Sequence, residues 1–244
     1  MAFRKNDEPT PVYYQLQVEI KNKIESGEWK SGSMIPPERV FTEEYQVSVG
    51  TVKKALSNLV NDGYLLRKQG KGTFVTGTSL RREQLRYYRL FNHFHDESPK
   101  IDVKLIDIQP VKGDKQINRY LNLKPSQSLF CVKRVLLTAT TPLIYTVSYL
   151  PQHLFKELDR LPRDLFEKEL FYLILEENYA VSTVSNQELI GAIAADEDMA
   201  RFLEVEVESP LVSIEMLSYT YKERPYEYRL SYCQTRTRKI FREY

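Results

Sequence analysis

An internal repeat limits what this chain can fold into more than any other feature. Residues 114–149 (DKQINRYLNLKPSQSLFCVKRVLLTATTPLIYTVSY) run parallel to residues 196–232 (DEDMARFLEVEVESPLVSIEMLSYTYKERPYEYRLSY). At an offset of 82, Leu121 matches Leu203, Leu129 matches Leu211 and Thr138 matches Thr220. One inserted residue moves the offset to 83, which pairs Pro142 with Pro225, Tyr145 with Tyr228, Ser148 with Ser231 and Tyr149 with Tyr232. Each copy reads as a short helix, a turn, a strand, a β-turn and a second strand. Two copies are too few for a solenoid, so a single α+β domain built on an antiparallel sheet is expected. Helical text at about 154–158 and 165–177, then a strand near 181–190, lies between the copies.

The N-terminal third has a different pattern. Val12, Leu16, Ile20 and Ile24 recur every four residues, with Tyr13 beside them, and predict a helix over about 11–26. Pro36-Pro37 opens a second helix over about 37–45, since proline lacks only an N–H that a first turn leaves unpaired anyway. Ser48 is placed to cap a third helix ending at Asp62-Gly63. Its buried stripe is Val52, Ala55, Leu56, Leu59 and Val60, and Val49, Gly50, Lys53, Lys54 and Ser57 fall on the other side. The run YLLRKQGKGTFV then reads as a β-hairpin around a basic, glycine-rich turn at residues 69–72.

Charge follows the same division. The whole chain carries 35 basic and 33 acidic side chains, yet residues 49–90 hold nine basic against two acidic ones. Residues 91–230 hold 16 basic and 22 acidic. A near-neutral total therefore conceals a basic segment on the third helix, hairpin and following linker, which is the electrostatic footprint of a nucleic-acid binder. Three helices followed by a hairpin, with the third helix basic on its open side, is the winged helix-turn-helix plan, in which the second helix of the pair enters the major groove.

The run Tyr13-x-Gln15-Leu16, Gly27, Gly32, Met34-Ile35-Pro36-Pro37-Glu38-Arg39, Val47-Ser48, Thr51-Val52-Lys53-x-Ala55-Leu56-x-x-Leu59 and Gly70-Lys71-Gly72-Thr73-Phe74-Val75 resembles the DNA-binding domain of GntR-family regulators. The resemblance spans residues 9–76 and implies double-stranded operator DNA as partner. It implies that Arg39 contacts DNA beside the major groove, that Thr51 contacts phosphate, that Lys53 stands for a recognition-helix arginine, and that Gly70, Lys71 and Gly72 form a minor-groove wing. Ser48, Val49 and Lys54 complete the expected DNA-facing set, with Lys54 and Lys68 read as solvated or phosphate-positioning. Lys53 keeps the charge but not the bidentate fork suited to guanine. Two departures stand out: Pro37 replaces a small residue, and Val49 replaces an arginine, which predicts an apolar contact such as a thymine methyl.

Residues 77–94 read as a linker. Residues 95–236 resemble the UTRA effector domain of the HutC subfamily, which implies a chorismate-lyase-like antiparallel α+β fold, a small-molecule effector and a homodimer. Arg134 shares a strand face with Phe130, Val132 and Leu136, where a guanidinium requires an anionic partner. By resemblance it anchors an anionic metabolite, and Leu136 occupies the place of a second arginine, which favours a carboxylate over a phosphate. The alternative is a structural ion pair with an acidic partner such as Glu215 or Glu227. Phe91, His93 and Phe94 lie in a segment that closes over ligand in related proteins, and Tyr228 with Arg229 forms a further candidate pair.

Other function classes find little support. There is no nucleophile–base pair, no G-x-S-x-G, no phosphate loop and no metal-ligand spacing among His93, His95 and His153, so an enzyme is not expected and no cofactor is implied. A purely architectural DNA-binding protein leaves the acidic second domain unexplained. No run approaches 18 apolar residues, and MAFRKNDEPTP has no apolar signal core, so no membrane span or secretory signal is expected. Cys131 and Cys233, far apart in sequence, suit a reducing cytoplasm.

Overall fold

The computed structural model describes residues 11–76, 89–91, 93, 100–236 and 238–241. The N-terminal part is a three-helix head with a hairpin. Helix α1 (Val12–Glu25) buries Leu16, Ile20 and Ile24, while Val12, expected in the stripe, is 44% exposed at the first turn. Helix α2 (Glu38–Tyr45) follows an extended Pro37 and buries Phe41 and Tyr45. Helix α3 (Val49–Asn61) starts at Ser48, whose Oγ accepts the Thr51 N–H at 3.1 Å, and it ends at Asp62. Strands β1 (Leu65–Lys68) and β2 (Gly72–Val75) pair antiparallel from Leu65↔Val75 to Lys68↔Gly72, forming the expected wing. Val52, Ala55, Leu56 and Leu59 close the head core against α1, Phe41, Tyr64 and Val75.

Strand β3 (Arg89–Phe91) pairs with the late strand β10 (Lys239–Phe241). The remaining elements build the body, and they follow the repeat. Strand β4 (Asp102–Val111), helix α4 (Lys115–Tyr120), strand β5 (Leu129–Thr138) and strand β6 (Thr141–Pro151) form one unit. Strand β7 (Ser185–Ala194), helix α7 (Glu197–Leu203), strand β8 (Pro210–Thr220) and strand β9 (Arg224–Cys233) form the other. The unit therefore begins one strand earlier than the sequence repeat. Asp114 and Asp196, matched in the repeat, each cap their helix by accepting backbone N–H groups. Asn122 and Glu204, also matched, both leave the helix at a φ of 54°. Leu121 and Leu203 are both buried.

All six strands join one antiparallel sheet in the order β4-β5-β6-β9-β8-β7. The two units meet at β6 and β9, where Val147 faces Leu230, Tyr145 faces Tyr232 and Tyr149 faces Tyr228. Since the repeat matches Tyr145 with Tyr228 and Tyr149 with Tyr232, these contacts are mates about a local two-fold axis through Val147 and Leu230. Helices α4 and α7 cover one face of the sheet.

The insert between the units covers the other face. It contains a 3-10 turn (Leu158–Arg160), helix α5 (Leu165–Lys168) and helix α6 (Phe171–Tyr179). The sequence predicts one helix over 165–177, and the structure breaks it at extended Glu169 and Leu170. Phe166 and Phe171 are both buried, with ring centroids 6.2 Å apart. Five residues on a continuous helix would set them about 140° apart around the axis, too far to share one core face. Phe155, Leu158, Ile174 and Leu175 complete this layer against Phe130, Val132 and Leu150. Among the described residues no helix is long and apolar enough to cross a membrane.

Candidate nucleic-acid interface and ligand site

The open face of the head is made by the start of α3, the start of α2 and the wing. Val49 stands at the first turn of α3 with half its surface exposed, and Gly50, Lys53 and Lys54 are also exposed. Ser48 Oγ lies 2.9 Å from Thr51 Oγ1, so one hydroxyl pair marks the end at which backbone N–H groups point outward. An anionic phosphate fits such a helix start, where the dipole and the unpaired N–H groups both favour negative charge. Arg39 is 84% exposed by side chain, and its Nε lies 3.5 Å from Glu43 one turn on. A contact that open contributes little to stability, so the guanidinium is available to another partner.

Three cations are more restrained. Lys54 Nζ sits 4.0 Å over the Tyr13 ring of α1, which directs it along the flank of the head. Lys68 Nζ lies 5.1 Å over Phe74 on the wing, and Arg67 approaches Glu38 at 3.8 Å. The wing tip itself is open: Gly70, Lys71 and Gly72 are exposed. Gly72 has a φ of +119°, which side chains with a Cβ rarely adopt, so the turn needs glycine for its conformation, and a Cβ there would also press on Met34 Sδ at 3.1 Å.

In the body, register decides which candidate residues share a face. Arg134 pairs with Thr146, Thr146 with Ser231, and Ser148 with Arg229. Glu227 stands opposite Ser218, and Arg229 opposite Met216. These side chains all lie on the insert side of the sheet. Arg134 is 5% exposed, and its guanidinium carbon sits 4.0 Å over the Phe171 ring at the start of α6. Arg229 reaches the same ring at 5.9 Å. It holds Glu227 by two bonds of 2.9 Å, from Nε to Oε1 and from Nη2 to Oε2, and its Nε also lies 3.2 Å from Ser148 Oγ. Buried Ser218 Oγ has no hydrogen-bond partner among the described residues. Among the described residues this makes a buried group that includes two guanidiniums, the Glu227 carboxylate and several hydroxyls beside the Phe171 ring.

This arrangement corrects one expected residue. Tyr228 is a neighbour of Arg229 in sequence, so the two-residue period of a strand turns it to the opposite face. There its hydroxyl donates to Glu215 Oε2 at 2.7 Å, its ring packs 5.3 Å from Tyr120 of α4, and burial with the Glu215 bond pushes its pKa well up. Tyr228 therefore belongs to the core beneath α4, away from Arg134. Glu227 bonds Arg229 and Glu215 lies across the sheet, while Arg134 has its own contacts on the insert side, Phe171 among them. Lys133 also faces away and lies 3.9 Å from Asp198 of α7. Phe91 falls on β3 opposite Lys239, His93 is exposed, and Phe94 lies outside the described residues. The pair of Arg134 and Arg229 was not joined in the sequence, because their proximity comes from β5 and β9 lying on either side of β6. The signal that was available is the i, i+2 spacing of Glu227, Arg229 and Ser231.

Comparison with known proteins agrees with both halves. Residues 12–75 match the model of bacterial regulatory proteins of the gntR family, and residues 98–237 match the UTRA domain. The chain belongs to the GntR family and carries a UTRA domain. It is 31% identical over 222 residues to the HTH-type transcriptional regulator YurK of Bacillus subtilis, covering 90% of each chain. It is 26% identical to a fructoselysine utilization operon repressor of Escherichia coli, over 91% of this chain and 90% of that one. The fold is that of PhnF from Mycobacterium smegmatis, with a TM-score of 0.52, 18% identity and coverage of 95% and 97% of the two chains. This GntR-family protein is thus a DNA-binding transcription regulator and not an enzyme.

Proposed function

We propose that this regulator is a homodimeric repressor, acting in the cytoplasm, that leaves its operator when a small anionic metabolite binds the body. The observation that carries this reading is the buried group of Arg134, Arg229 and Glu227 against Phe171. Two buried guanidiniums on one face of the sheet, beside an aromatic ring, suit the anionic group of a small ligand. Thr146, Ser148, Ser218 and Ser231 place buried hydroxyls on the same face, which suits a polyhydroxylated anion. Relatives named for fructoselysine utilization and mannosyl-D-glycerate metabolism agree with a carbohydrate-derived effector. Arg229 supplies from β9 the second cation that Leu136 does not, so phosphate and carboxylate anions are both suited to the site.

In the head, Arg39, Ser48, Val49, Thr51, Lys53, Lys54 and the wing at Gly70, Lys71 and Gly72 are proposed to meet DNA. The second copy is proposed to add to β7. This ten-residue strand is a sheet edge, and it exposes Leu189 at 70%, Ile190 at 63% and Ile193 at 41%, on both of its faces. An unpaired apolar edge of that length is a template for another strand, and two identical edges pair about a two-fold axis.

The test is a thermal-shift panel of gluconate, glycerate, hexose 6-phosphates and inorganic phosphate, followed by operator binding with each compound that raises the melting temperature. Arg134→Ala is expected to abolish the shift. A shift that survives Arg134→Ala, or a ligand that leaves operator affinity unchanged, refutes the reading, because linkage requires the two affinities to move together.

A further inference from the structure

The turn between β8 and β9 touches the head, and its equivalent in the first repeat unit does not serve that purpose. The β5–β6 turn is Ala139-Thr140, and both residues are exposed. The β8–β9 turn is Tyr221-Lys222-Glu223, longer by the one residue that shifts the repeat offset. Lys222 and Glu223 have φ values of 61° and 51°. Two consecutive non-glycine residues in the left-handed region persist where surrounding contacts hold them.

Those contacts are with the head. The Tyr221 ring stacks on Tyr64, just past α3, with centroids 4.5 Å apart and planes 7° from parallel. Both tyrosines are buried, and Tyr221 belongs to the head core rather than to the body core. The Tyr221 hydroxyl donates to the Thr76 carbonyl at the exit of β2. Lys222 Nζ lies 3.2 Å from Glu25 at the end of α1, and Glu25 also accepts from the Tyr64 hydroxyl. Val184, just before β7, packs on the same core, and a Cβ on Gly63 would come within 3.3 Å of it. The attachment therefore grips the far ends of α1 and α3 and leaves the starts of α2 and α3, together with the wing tip, open.

We propose that the Tyr221–Glu223 turn is a latch that fixes the head on the body in the orientation that binds the operator. This deepens the reading of the protein as a DNA-binding regulator and rests on it. A latch at the end opposite the DNA face restrains orientation without covering the contact residues, so closing it lowers the entropy lost on DNA binding. Strand β9 leaves the turn at Arg224 and carries Glu227 and Arg229, so the latch and the buried charged group lie on one continuous strand.

The chain has a single tryptophan, Trp29, and it lies in the head against Phe41 at 6.0 Å. Its time-resolved anisotropy reads head motion without any ligand. The wild type is expected to tumble as one body. Tyr221→Ala is expected to add a faster component from the freed head, and Tyr221→Phe, which keeps the stack, is expected to stay close to wild type. Lys222→Glu, at an exposed position that sets two carboxylates together, provides a second opening variant should Tyr221→Ala fold poorly. On a duplex selected from a random pool with wild-type protein, the opened variants are expected to bind about tenfold more weakly. That is the loss when the competent orientation falls to about a tenth of the population. Identical anisotropy in wild type and opened variants overturns the latch, as does unchanged or tighter operator binding. Failure of the wild type to select any duplex overturns the regulator reading instead.

Discussion

Removing one member of the buried ion pair is the sharpest energetic test of the body. Glu227 is 1% exposed and Arg229 is 4% exposed, with two bonds of 2.9 Å between them. Arg229→Met keeps the stem of the side chain and deletes its charge. Glu227 would then be a buried carboxylate without its partner, at a cost of about 3–5 kcal/mol. For a chain of this size each kcal/mol lowers the melting temperature by roughly 2–4 °C, so a loss of about 6–20 °C is expected by scanning calorimetry of the body transition. The double variant Arg229→Met with Glu227→Leu removes both charges and is expected to recover most of that loss, because an apolar pair escapes the desolvation penalty. It should fold and yet show no thermal shift with the anions that stabilise the wild type. A single variant that loses less than about 1 kcal/mol would refute the claim that the pair is dry, and so would a double variant as unstable as the single.

Three further outcomes test the head and its attachment. Val49→Arg places a guanidinium at the exposed first turn of α3. Duplex selection with this variant is expected to gain a guanine preference worth about 1–3 kcal/mol at one position per half-site. Gly72→Val, at a φ of +119° and against Met34, is expected to destabilise the wing by about 1–3 kcal/mol and to weaken binding to all duplexes alike, read by titration on several sequences. Acid is expected to loosen the latch. Burial pushes Glu25 up, but the Tyr64 hydroxyl and Lys222, with Lys21 adding its charge, outweigh it and hold the carboxyl below its usual range. A depressed folded pKa contributes stability above the unfolded value that is lost as pH falls through the folded one. The fast component of Trp29 anisotropy should therefore grow with acidification in the wild type and be insensitive to acid in Glu25→Gln.

What the sequence made legible depended on the range of the interactions involved. The head was readable because its signals are local: the Ser48 cap, the four-residue stripe of α1 and the glycines of the wing all act within a few residues. The repeat was readable because matching helix caps and exits must recur where matching backbone turns recur. Its first strand was not legible as part of the repeat: β4 is held by the insert through Glu167 and Arg163, whereas β7 is an edge strand, so the two share no side-chain pattern. The ligand face was half legible. Arg134 was singled out by its apolar neighbours, but Tyr228 was grouped with it although strand period alone puts Tyr228 on the same face as Leu230 and Tyr232, away from Arg229.

The inserted residue between Thr220 and Pro225 was visible in the sequence from the start, yet it carried no meaning there. A hairpin turn in isolation has no use for a tyrosine ring at its start, since nothing within the turn can bury it. In the folded chain Tyr64, Thr76 and Glu25, from three separate places in the head, each bind part of it. The two repeat units were free to diverge at this turn because the sheet does not need it. The unit whose turn grew is also the unit whose second strand holds Glu227 and Arg229, so divergence placed the attachment to the head and the buried charges on the same strand.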